Sequence, residues 1–337
     1  MNRKKYYSFN RLKSYNAFIN FSMGGRGIGK TYGCNMMMID NFLEKKKQSV
    51  YIRRTESELD EVKATFFNAV RTDSKYEGVE MEVKGEYGLI NGEIAIYFIA
   101  LSTSAKKKSS AYPFVNIVVF DEYVMLSPRY IRNEMILFFE LLETIFRSRN
   151  DGKVYILSNS VSYVNPFFDE FGIEPKQGDR FIKCNDGLIV VEIIPPNEEF
   201  KKEKAETNLM RLLKGTKYYD YSVENKVLND SEDFIIPKKP SGKYSFYGSF
   251  YSDGMEISFW RNDITGYFYV DQLSEKNSPH RYYLRMDDIL PNFRYLKEYR
   301  TQVNRIRTIR KAISDGIVYY KNQSIKLFVL NTLSRFI

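Results

Sequence analysis

The sequence predicts an α/β fold with a mostly parallel sheet, followed by a smaller α+β domain. A glycine-rich loop lies between a short apolar stretch and a helical segment, and further apolar stretches alternate with segments of helical periodicity. Buried strands that alternate with helices form a mostly parallel sheet with helices on both faces. At 337 residues the chain is also too long for one ordinary core, which favours two domains.

The first predicted strand, over 17–21, leads into the loop GGRGIGKT. The spacing Gly24-x-x-x-x-Gly29-Lys30-Thr31 is that of a phosphate-binding P-loop, and the segment over 36–39 continues it as a helix. Glycines let backbone N–H groups turn towards phosphate oxygens at a helix N-terminus, which already favours anions. We therefore expect ATP and Mg²⁺ as cofactors, with Lys30 on the β- and γ-phosphates and the Thr31 hydroxyl on Mg²⁺. The predicted nucleotide-binding residues are Gly24, Gly25, Arg26, Gly27, Ile28, Gly29, Lys30 and Thr31.

The elements that follow alternate as this fold class requires. We predict a strand over 49–54, a capped amphipathic helix over 55–72, a strand over 79–83 and a hairpin over 88–101 with its turn at Asn91-Gly92. A buried strand follows over 116–123, then a long helix over 130–149 and another buried strand over 153–160. The segment over 193–215 contains a Pro-Pro pair that ends the sheet domain, and the charged helix that follows this pair is predicted as a linker element.

Two adjacent acids, Asp121 and Glu122, follow four apolar residues at the end of the strand over 116–123. Downstream of a P-loop this arrangement is typical of a Walker B motif, in which Asp121 holds the Mg²⁺ shell and Glu122 polarises the attacking water. The adjacent glutamate resembles the class of P-loop ATPases that insert an extra strand between the P-loop strand and the Walker B strand. The strand over 153–160 would be that extra strand, and its Asn159 would lie beside the γ-phosphate.

The C-terminal part differs from the rest of the chain in composition and sequence pattern. Aromatic residues over 244–272, interrupted by turn sequences, predict an antiparallel meander, and basic helices end the chain. Residues 281–337 contain twelve Lys and Arg against four acids, a net charge of +8 out of +9 for the whole chain. Such a distribution indicates a polyanionic partner. We expect a P-loop ATPase domain over 1–197, a helical linker over 198–228 and a C-terminal domain over 229–337.

Composition argues against several classes of protein. Cys34 and Cys184 are the only cysteines and His280 is the only histidine, which argues against disulfides, zinc sites and serine–histidine hydrolases. No apolar run has the length of a membrane span, and the N-terminus lacks the apolar core of a signal peptide. We therefore expect an intracellular protein with no membrane partner.

Taken together, the motifs resemble one known family. GGRGIGKTY, YIRR, SAYP, VVFDE, IFRSR and LSNSVSYVNPFF, in this order and at these spacings, are similar to the DNA-packaging ATPase of small protein-primed tailed phages. The resemblance implies a homo-oligomeric ring that hydrolyses ATP and translocates double-stranded DNA into a preformed prohead. It also implies a packaging RNA and the prohead portal as partners, and a location in the host cytoplasm with transient attachment to the prohead.

The same resemblance implies roles for basic residues. It indicates that Arg147, at the end of the long helix, acts as an arginine finger on a neighbouring subunit's nucleotide, with Lys108 as a companion. Arg26, inside the P-loop, is the competing candidate for the finger. From the basic runs themselves, the candidate DNA contacts are Lys106, Lys107, Lys108, Arg129 and Arg132.

For the C-terminal domain the resemblance implies a ribonuclease H-like fold without nuclease activity, used for docking to nucleic acid or portal. A two-metal nuclease needs several converging carboxylates. Of the acids Asp253, Glu256, Asp263 and Asp271, only Asp271 ends an apolar run. Two other functions stay open: an ATP-binding nucleic-acid switch with little turnover, which Glu122 argues against, and a nuclease-active terminase large subunit, which the carboxylate count argues against.

Overall fold

The computed structural model describes the ranges 7–107, 110–124, 130–131, 133–159, 162–163, 165–173, 179–195, 197–224, 233–252, 254–299 and 304–333, together with residues 175 and 336. Contacts between Cα atoms divide the chain into two compact units, Met1–Asn229 and Asp230–Ile337. The helices between 198 and 222 group with the first unit, and the finer division into an ATPase domain and a linker stays a prediction. In these described ranges, no helix is long and apolar enough to cross a membrane.

One mixed sheet forms the centre of the first unit. Its strands, in the part of the chain that the structure describes, are β1 (Ile19–Gly24), β2 (Gln48–Arg53), β3 (Met81–Lys84), β4 (Tyr87–Ile90), β5 (Glu93–Ala100), β6 (Val115–Asp121), β7 (Lys153–Asn159), β8 (Phe181–Cys184) and β9 (Ile189–Ile193). Their order across the sheet is β3-β4-β5-β2-β6-β7-β1-β9-β8. The six strands from β5 to β9 in this order pair in parallel, and antiparallel strands close both edges. The predicted mostly parallel sheet is confirmed.

Helices cover both faces of this sheet. They are α1 (Asn10–Ser14), α2 (Lys30–Lys45), α3 (Glu56–Thr65), α4 (Asn68–Arg71), α5 (Glu134–Phe146), α6 (Pro166–Phe171), α7 (Glu198–Ala205), α8 (Asn208–Leu212) and α9 (Lys217–Ser222). Aromatic residues from α5 and α6, such as Phe138 and Phe167, pack with Phe21 and Phe120 on one face. The α2–α4 layer packs on the other face. Because the central strands are buried on both faces, their sequences are nearly continuous apolar runs.

The position of β7 fixes the class of the sheet. It lies between β1, which leads into the P-loop, and β6, which ends in the acid pair. In the parallel register Gly24 of β1 is paired with Asn159, and Asp121 of β6 is paired with Leu157. The prediction of an additional strand at residues 153–160 is therefore confirmed, and the three strand ends meet at one edge.

Several element boundaries differ from the sequence expectation. Strand β1 begins and ends later than the predicted 17–21, because its pairing with β7 and β9 continues through the polar Ser22. Helix α5 is shorter than the predicted 130–149, because Asn133 and Arg147 at its two ends have left-handed φ values of 54° and 52°. The predicted helix over 55–72 is two helices, α3 and α4, and strands β8 and β9 were not predicted.

A second mixed sheet forms the second unit. The described strands are β10 (Tyr244–Ser252), β11 (Met255–Asn262), β12 (Phe268–Asp271), β13 (Arg281–Tyr283), β14 (Arg294–Tyr295) and β15 (Val318–Tyr320), in the order β14-β13-β10-β11-β12-β15. Strands β10, β11 and β12 form the predicted antiparallel meander. The short strands β13, β14 and β15 add in parallel and were not predicted.

Helices α10 (Leu296–Tyr299), α11 (Asn304–Ser314) and α12 (Gln323–Leu327) complete the second unit. Helix α11 is amphipathic: Ile306, Ile309 and Ala312 enter the core, and Arg310 and Lys311 are exposed. Part of the positive charge of the C-terminal segment therefore lies on a helix face that the core of this unit does not cover.

Candidate active site

The carboxyl ends of β1, β6 and β7 enclose a cleft of about 230 Å³. It is lined by Arg26, Gly27, Gly29, Lys30, Thr31, Tyr32, Asp121, Glu122, Ser158 and Asn159. Parallel strands place their carboxyl ends at the same edge of a sheet, and helices that begin there point their N–H groups at it. The structure thus brings the predicted P-loop and the predicted Walker B acids to one cleft. A larger cavity of about 460 Å³, beside α3, contains none of the predicted site residues in its lining.

The loop before α2 requires its glycines. Gly27 and Gly29 have φ values of 87° and 91°, in the left-handed region that favours glycine. At Gly24 a Cβ atom would lie 2.7 Å from the Cβ atom of Ile194, so the strand end has no room for a side chain. Helix α2 begins directly at Lys30, and its first N–H groups face the loop.

Lys30 lies inside the curve of this loop. Its Nζ donates to the carbonyl oxygens of Gly24 at 2.9 Å and Gly25 at 2.8 Å, and to Asn159 Oδ1 at 3.3 Å. Burial lowers the pKa of Lys30 to about 8, although the nearby Asp121 carboxylate raises it. The cation is therefore held among backbone oxygens at the place where a P-loop presents its lysine to phosphate.

Thr31 and Asp121 form a set of hard oxygen ligands. Thr31 Oγ1 donates to Asp121 Oδ2 at 2.9 Å, and the Tyr51 hydroxyl donates to the same oxygen at 2.8 Å. Burial and the Asp121 carboxylate raise the pKa of Tyr51 well above its usual range, so its hydroxyl stays a donor. Within the described residues no group of three or more His, Cys, Asp or Glu side chains could hold a metal. One hydroxyl and one carboxylate fit Mg²⁺, which takes its other ligands from phosphates and water.

Glu122 follows directly and has a left-handed backbone, with φ 62°. Its side chain is 56% exposed, and its Oε2 accepts from Arg53 Nη2 at 2.8 Å. Arg53 Nη1 lies 3.7 Å from Asp121 Oδ2, so one guanidinium contacts both acids. Burial alone would lower the pKa of Arg53, but the acids beside it raise it overall. Arg53 belongs to the YIRR segment, whose sequence alone indicated no role for this residue.

Two segments distant in sequence contact the P-loop through hydrogen bonds. The backbone N–H of Tyr7 donates to the carbonyl of Ile28 at 2.9 Å. From α7, Lys204 Nζ donates to the carbonyls of Arg26 at 2.9 Å and of Ser222, in α9, at 2.7 Å. Burial and the nearby Arg26 lower the pKa of Lys204. Helix α7 therefore contacts the phosphate-binding loop directly, and Lys204 connects α9 to it, which no sequence signal indicated.

Arg26 and Arg147 lie at opposite edges of the sheet. Arg26 is exposed and lines the cleft. Arg147, also exposed, ends α5 at the edge where the strands begin, and its Nη2 donates to the carbonyl of Ser110 at 3.4 Å. Phe146 packs there on Phe18, which directly precedes β1. The length of a six-residue strand, about 20 Å, separates Arg147 from the P-loop of its own chain.

The candidate DNA contacts have separate environments. Lys107 is bound to Glu86 at 2.5 Å, and Lys106 is exposed on the same 3₁₀ segment, Leu101–Lys107. The other candidates, Lys108, Arg129 and Arg132, lie outside the described residues.

Among the described residues of the second unit, Asp271 and Glu256 have different hydrogen-bond partners. Asp271 Oδ1 accepts from Trp260 Nε1 at 2.9 Å, and Glu256 accepts from Arg281, Ser249 and Ser274. Hydrogen bonds to Arg281 and to the two serines lower the pKa of Glu256 in spite of its burial. Asp253 lies outside the described residues.

The fold and the cleft define the class of protein: a P-loop NTPase with an additional strand between the P-loop strand and the Walker B strand. The chain belongs to the family described as Podovirus DNA encapsidation protein (Gp16), which it matches over residues 1–335. The family expected from the motifs is confirmed.

Individual relatives agree with this membership. The DNA packaging protein of Bacillus phage phi29 is 32% identical over 328 residues, which cover 97% of this chain and 96% of that protein. A chain of the bacteriophage Phi-29 viral genome packaging motor assembly is similar with a TM-score of 0.73 and 30% identity, covering 99% of this chain and all of that one. The crystal structure of the N-terminal domain of the DNA packaging ATPase from phi29 has a TM-score of 0.52 and 36% identity, over 56% of this chain and 96% of that domain.

Proposed function

We propose that this protein is an ATP-hydrolysing motor that translocates double-stranded viral DNA into a preformed prohead as a homo-oligomeric ring. The convergence of Lys30, Thr31, Asp121 and Glu122 at one cleft carries this proposal. The relationship over almost the whole chain to DNA packaging proteins supports it. ATP is the substrate, and the host cytoplasm, with transient attachment to the prohead, is the place of action.

Five side chains of the cleft have roles in hydrolysis. Lys30 binds the β- and γ-phosphates, and the backbone N–H groups of the loop surround their oxygens. Thr31 and Asp121 would hold Mg²⁺, which when bound would neutralise the charge that develops on the phosphates. Glu122 accepts a proton from the attacking water. Asn159, within hydrogen-bond distance of Lys30, contacts the γ-phosphate from the neighbouring strand.

The arginine finger comes from the neighbouring subunit. Arg147 lies about a strand length from the P-loop of its own chain, so it is suited only to a nucleotide held by another copy. Arg26 serves its own subunit at the cleft, where its backbone carbonyl is bound by Lys204. In a ring, every interface would bring the Arg147 of one subunit to the cleft of the next, and each Arg26 would stay at the cleft of its own subunit.

The second unit docks the motor. Its exposed basic residues on α11 favour a nucleic-acid partner, such as a packaging RNA or the DNA itself, and the prohead portal completes the assembly. It does not cleave DNA, because its Glu256 carboxylate is neutralised by Arg281 and Asp271 is bound by Trp260.

The decisive experiment compares Glu122→Gln with Lys30→Ala. Glu122→Gln should keep Mg²⁺-dependent ATP binding and lose about 10²- to 10⁴-fold in turnover, since an amide cannot accept the proton from water. Lys30→Ala should weaken nucleotide binding itself. The matched control is Glu93→Gln, which changes an exposed acid paired with Lys46 far from the cleft. If Glu122→Gln hydrolysed ATP in the presence of DNA as fast as the control, the assignment of the base would be wrong.

A further inference from the structure

A buried ion pair lies directly behind the acid pair. Arg54, the residue after β2, donates from Nε to Glu134 Oε2 and from Nη2 to Glu134 Oε1, both at 2.8 Å. Each of the two side chains is only 2% exposed. The Arg54 guanidinium also lies over the rings of Phe120 and Tyr130, with centroid distances of 5.6 and 5.3 Å. The pair therefore connects the end of β2 to the start of α5 in the protein interior.

The remaining hydrogen bonds of Arg54 hold the turn that carries Glu122. Its Nη1 donates to the carbonyl of Glu122 at 3.2 Å, and its Nη2 donates to the carbonyl of Tyr123 at 2.8 Å. A left-handed backbone such as that of Glu122 is unfavourable for a non-glycine residue and persists only where the surroundings hold it. Arg54 supplies that restraint, since it donates to the carbonyl oxygens of Glu122 and Tyr123.

Stability alone does not explain this pair. Two charges removed from water cost so much desolvation that well-packed apolar residues in their place are often neutral or stabilising. What the pair provides instead is geometry, because a planar guanidinium can bind a carboxylate bidentately and still donate to two carbonyls. A lysine keeps the charge but not this fork.

We propose that Arg54, itself held by Glu134, is a positioning residue for hydrolysis: it keeps Glu122 in the left-handed conformation that places its carboxylate at the cleft. The inference rests on the proposed function, because it assumes that Glu122 is the base. A displacement of about 1 Å in a catalytic group costs roughly 10²-fold in rate. Arg54 does not touch substrate, so its loss acts through the orientation of Glu122 and leaves phosphate binding by Lys30 intact.

The test replaces both charges at once. R54M/E134L removes the fork without leaving an unpaired buried charge. It also removes Glu134 Oε2 as the acceptor of the Ile131 N–H, so the thermal midpoint is measured beside the kinetics. We expect the kcat for Mg·ATP hydrolysis at saturating DNA to fall about 10²-fold, and the KM and the Kd for Mg·ADP to stay within threefold of wild type. R54K, which keeps the charge, should shift the same parameters in the same direction. The control K46A/E93A removes an ion pair whose side chains are 61% and 59% exposed and should change none of them.

The outcomes separate three situations. A fall in kcat with unchanged KM and Kd, in whichever of R54M/E134L and R54K keeps the wild-type thermal midpoint, supports the positioning role. A kcat within threefold of wild type in a folded variant overturns it, and so does a loss confined to KM and Kd. Wild-type protein that binds Mg·ATP but hydrolyses none would contradict the proposed function itself, a result that is independent of either variant.

Discussion

Asp121 and Asp271 both end an apolar strand, yet only one of them belongs to a cleft of converging polar groups. Asp121 lies at the carboxyl end of β6, beside the parallel strands β2 and β7, and accepts from Thr31 and Tyr51. Asp271 ends β12, which has the antiparallel strand β11 on one side and the short parallel strand β15 on the other, and it accepts from the Trp260 side chain of β11. A strand-end acid becomes a candidate site when the strands on both sides are parallel to its own and end at the same edge, since their side chains and loops then meet.

Exchanging each acid for its amide tests this contrast most strongly. We expect Asp121→Asn to reduce Mg·ATP hydrolysis by about 10³-fold or more, because a metal ligand contributing several kcal/mol to the transition state is lost. Asp271→Asn should leave hydrolysis within twofold of wild type and lower the free energy of unfolding by about 1 kcal/mol through its weaker bond with Trp260. Steady-state ATPase rates and urea denaturation measure the two effects. Equal losses of hydrolysis in both variants would contradict the view that only Asp121 belongs to the catalytic cleft.

Mixing two inactive proteins tests whether Arg147, at the other edge of the first sheet, acts on the cleft of a neighbouring subunit. Lys30→Ala keeps Arg147, and Arg147→Ala keeps an intact cleft. If the finger acts in trans, as proposed, mixed rings should recover DNA-stimulated ATPase on the order of 10²-fold above either parent, because a finger is worth about 10³ or more and only some interfaces are complete. Mixed rings as inactive as the parents, with subunit exchange verified by mass spectrometry, would move the finger to Arg26.

A pH titration examines Lys30, the cation of the first cleft. Burial lowers its pKa to about 8 from the ordinary 10.5, so the free protein loses this proton as the pH rises through 8. Phosphates favour the charged form, and nucleotide binding should therefore take up a proton and weaken by up to tenfold per pH unit above pH 8. The unfolded chain holds this proton up to about pH 10.5, so Lys30 makes the folded state relatively more stable as the pH rises from 8 to 10.5.

Calorimetry in buffers of different ionisation enthalpy measures that proton uptake directly. Lys30→Arg is the matched variant, since its guanidinium stays charged throughout this range. Mg·ADP affinity that is flat from pH 7 to 9.5 in the wild type would show that Lys30 does not titrate there.

The smallest effect concerns the second unit, where we expect binding rather than chemistry. Neutralising Arg310 and Lys311, both exposed on α11, should reduce the slope of log Kobs against log salt for double-stranded DNA or RNA by about 2. Affinity at a fixed moderate salt concentration should fall severalfold, and ATPase activity without nucleic acid should not change. The control is K45Q/K46Q, which removes two exposed charges at the end of α2. An equal change of slope in the control would contradict a specific role for α11.

The convergence at the first cleft was predictable because it depends on local patterns and one topological rule. The P-loop spacing, the acid pair and the apolar runs define three parallel strands, and parallel strands end at the same edge. The additional strand β7, with Asn159 at its end, followed from the same reasoning.

Contacts between distant segments were not predictable. Lys204 reaches the Arg26 carbonyl across 178 residues, and Arg54 reaches Glu134 across 80, which no periodicity encodes. Strand β9 contains the buried acid Glu192, which accepts from the Tyr7 hydroxyl at 2.6 Å. Because this charged residue interrupts the apolar run, the sequence did not indicate a buried strand there. Strands of two or three residues, such as β14 and β15, are too short to show a period of two.

The proposed contact between subunits joins the Arg147 finger of one copy to the nucleotide cleft of the next. Helix α5 places these two parts at opposite edges of one sheet, with the cleft at the edge where the strands end and Arg147 at the edge where they begin. A surface that offers different patches to its two neighbours is heterologous, so an assembly built on it is head-to-tail and cannot be an isologous two-fold dimer. Closure then has a chemical meaning. In an open chain of n subunits one cleft lacks a finger and one finger lacks a cleft, whereas a closed ring leaves none incomplete.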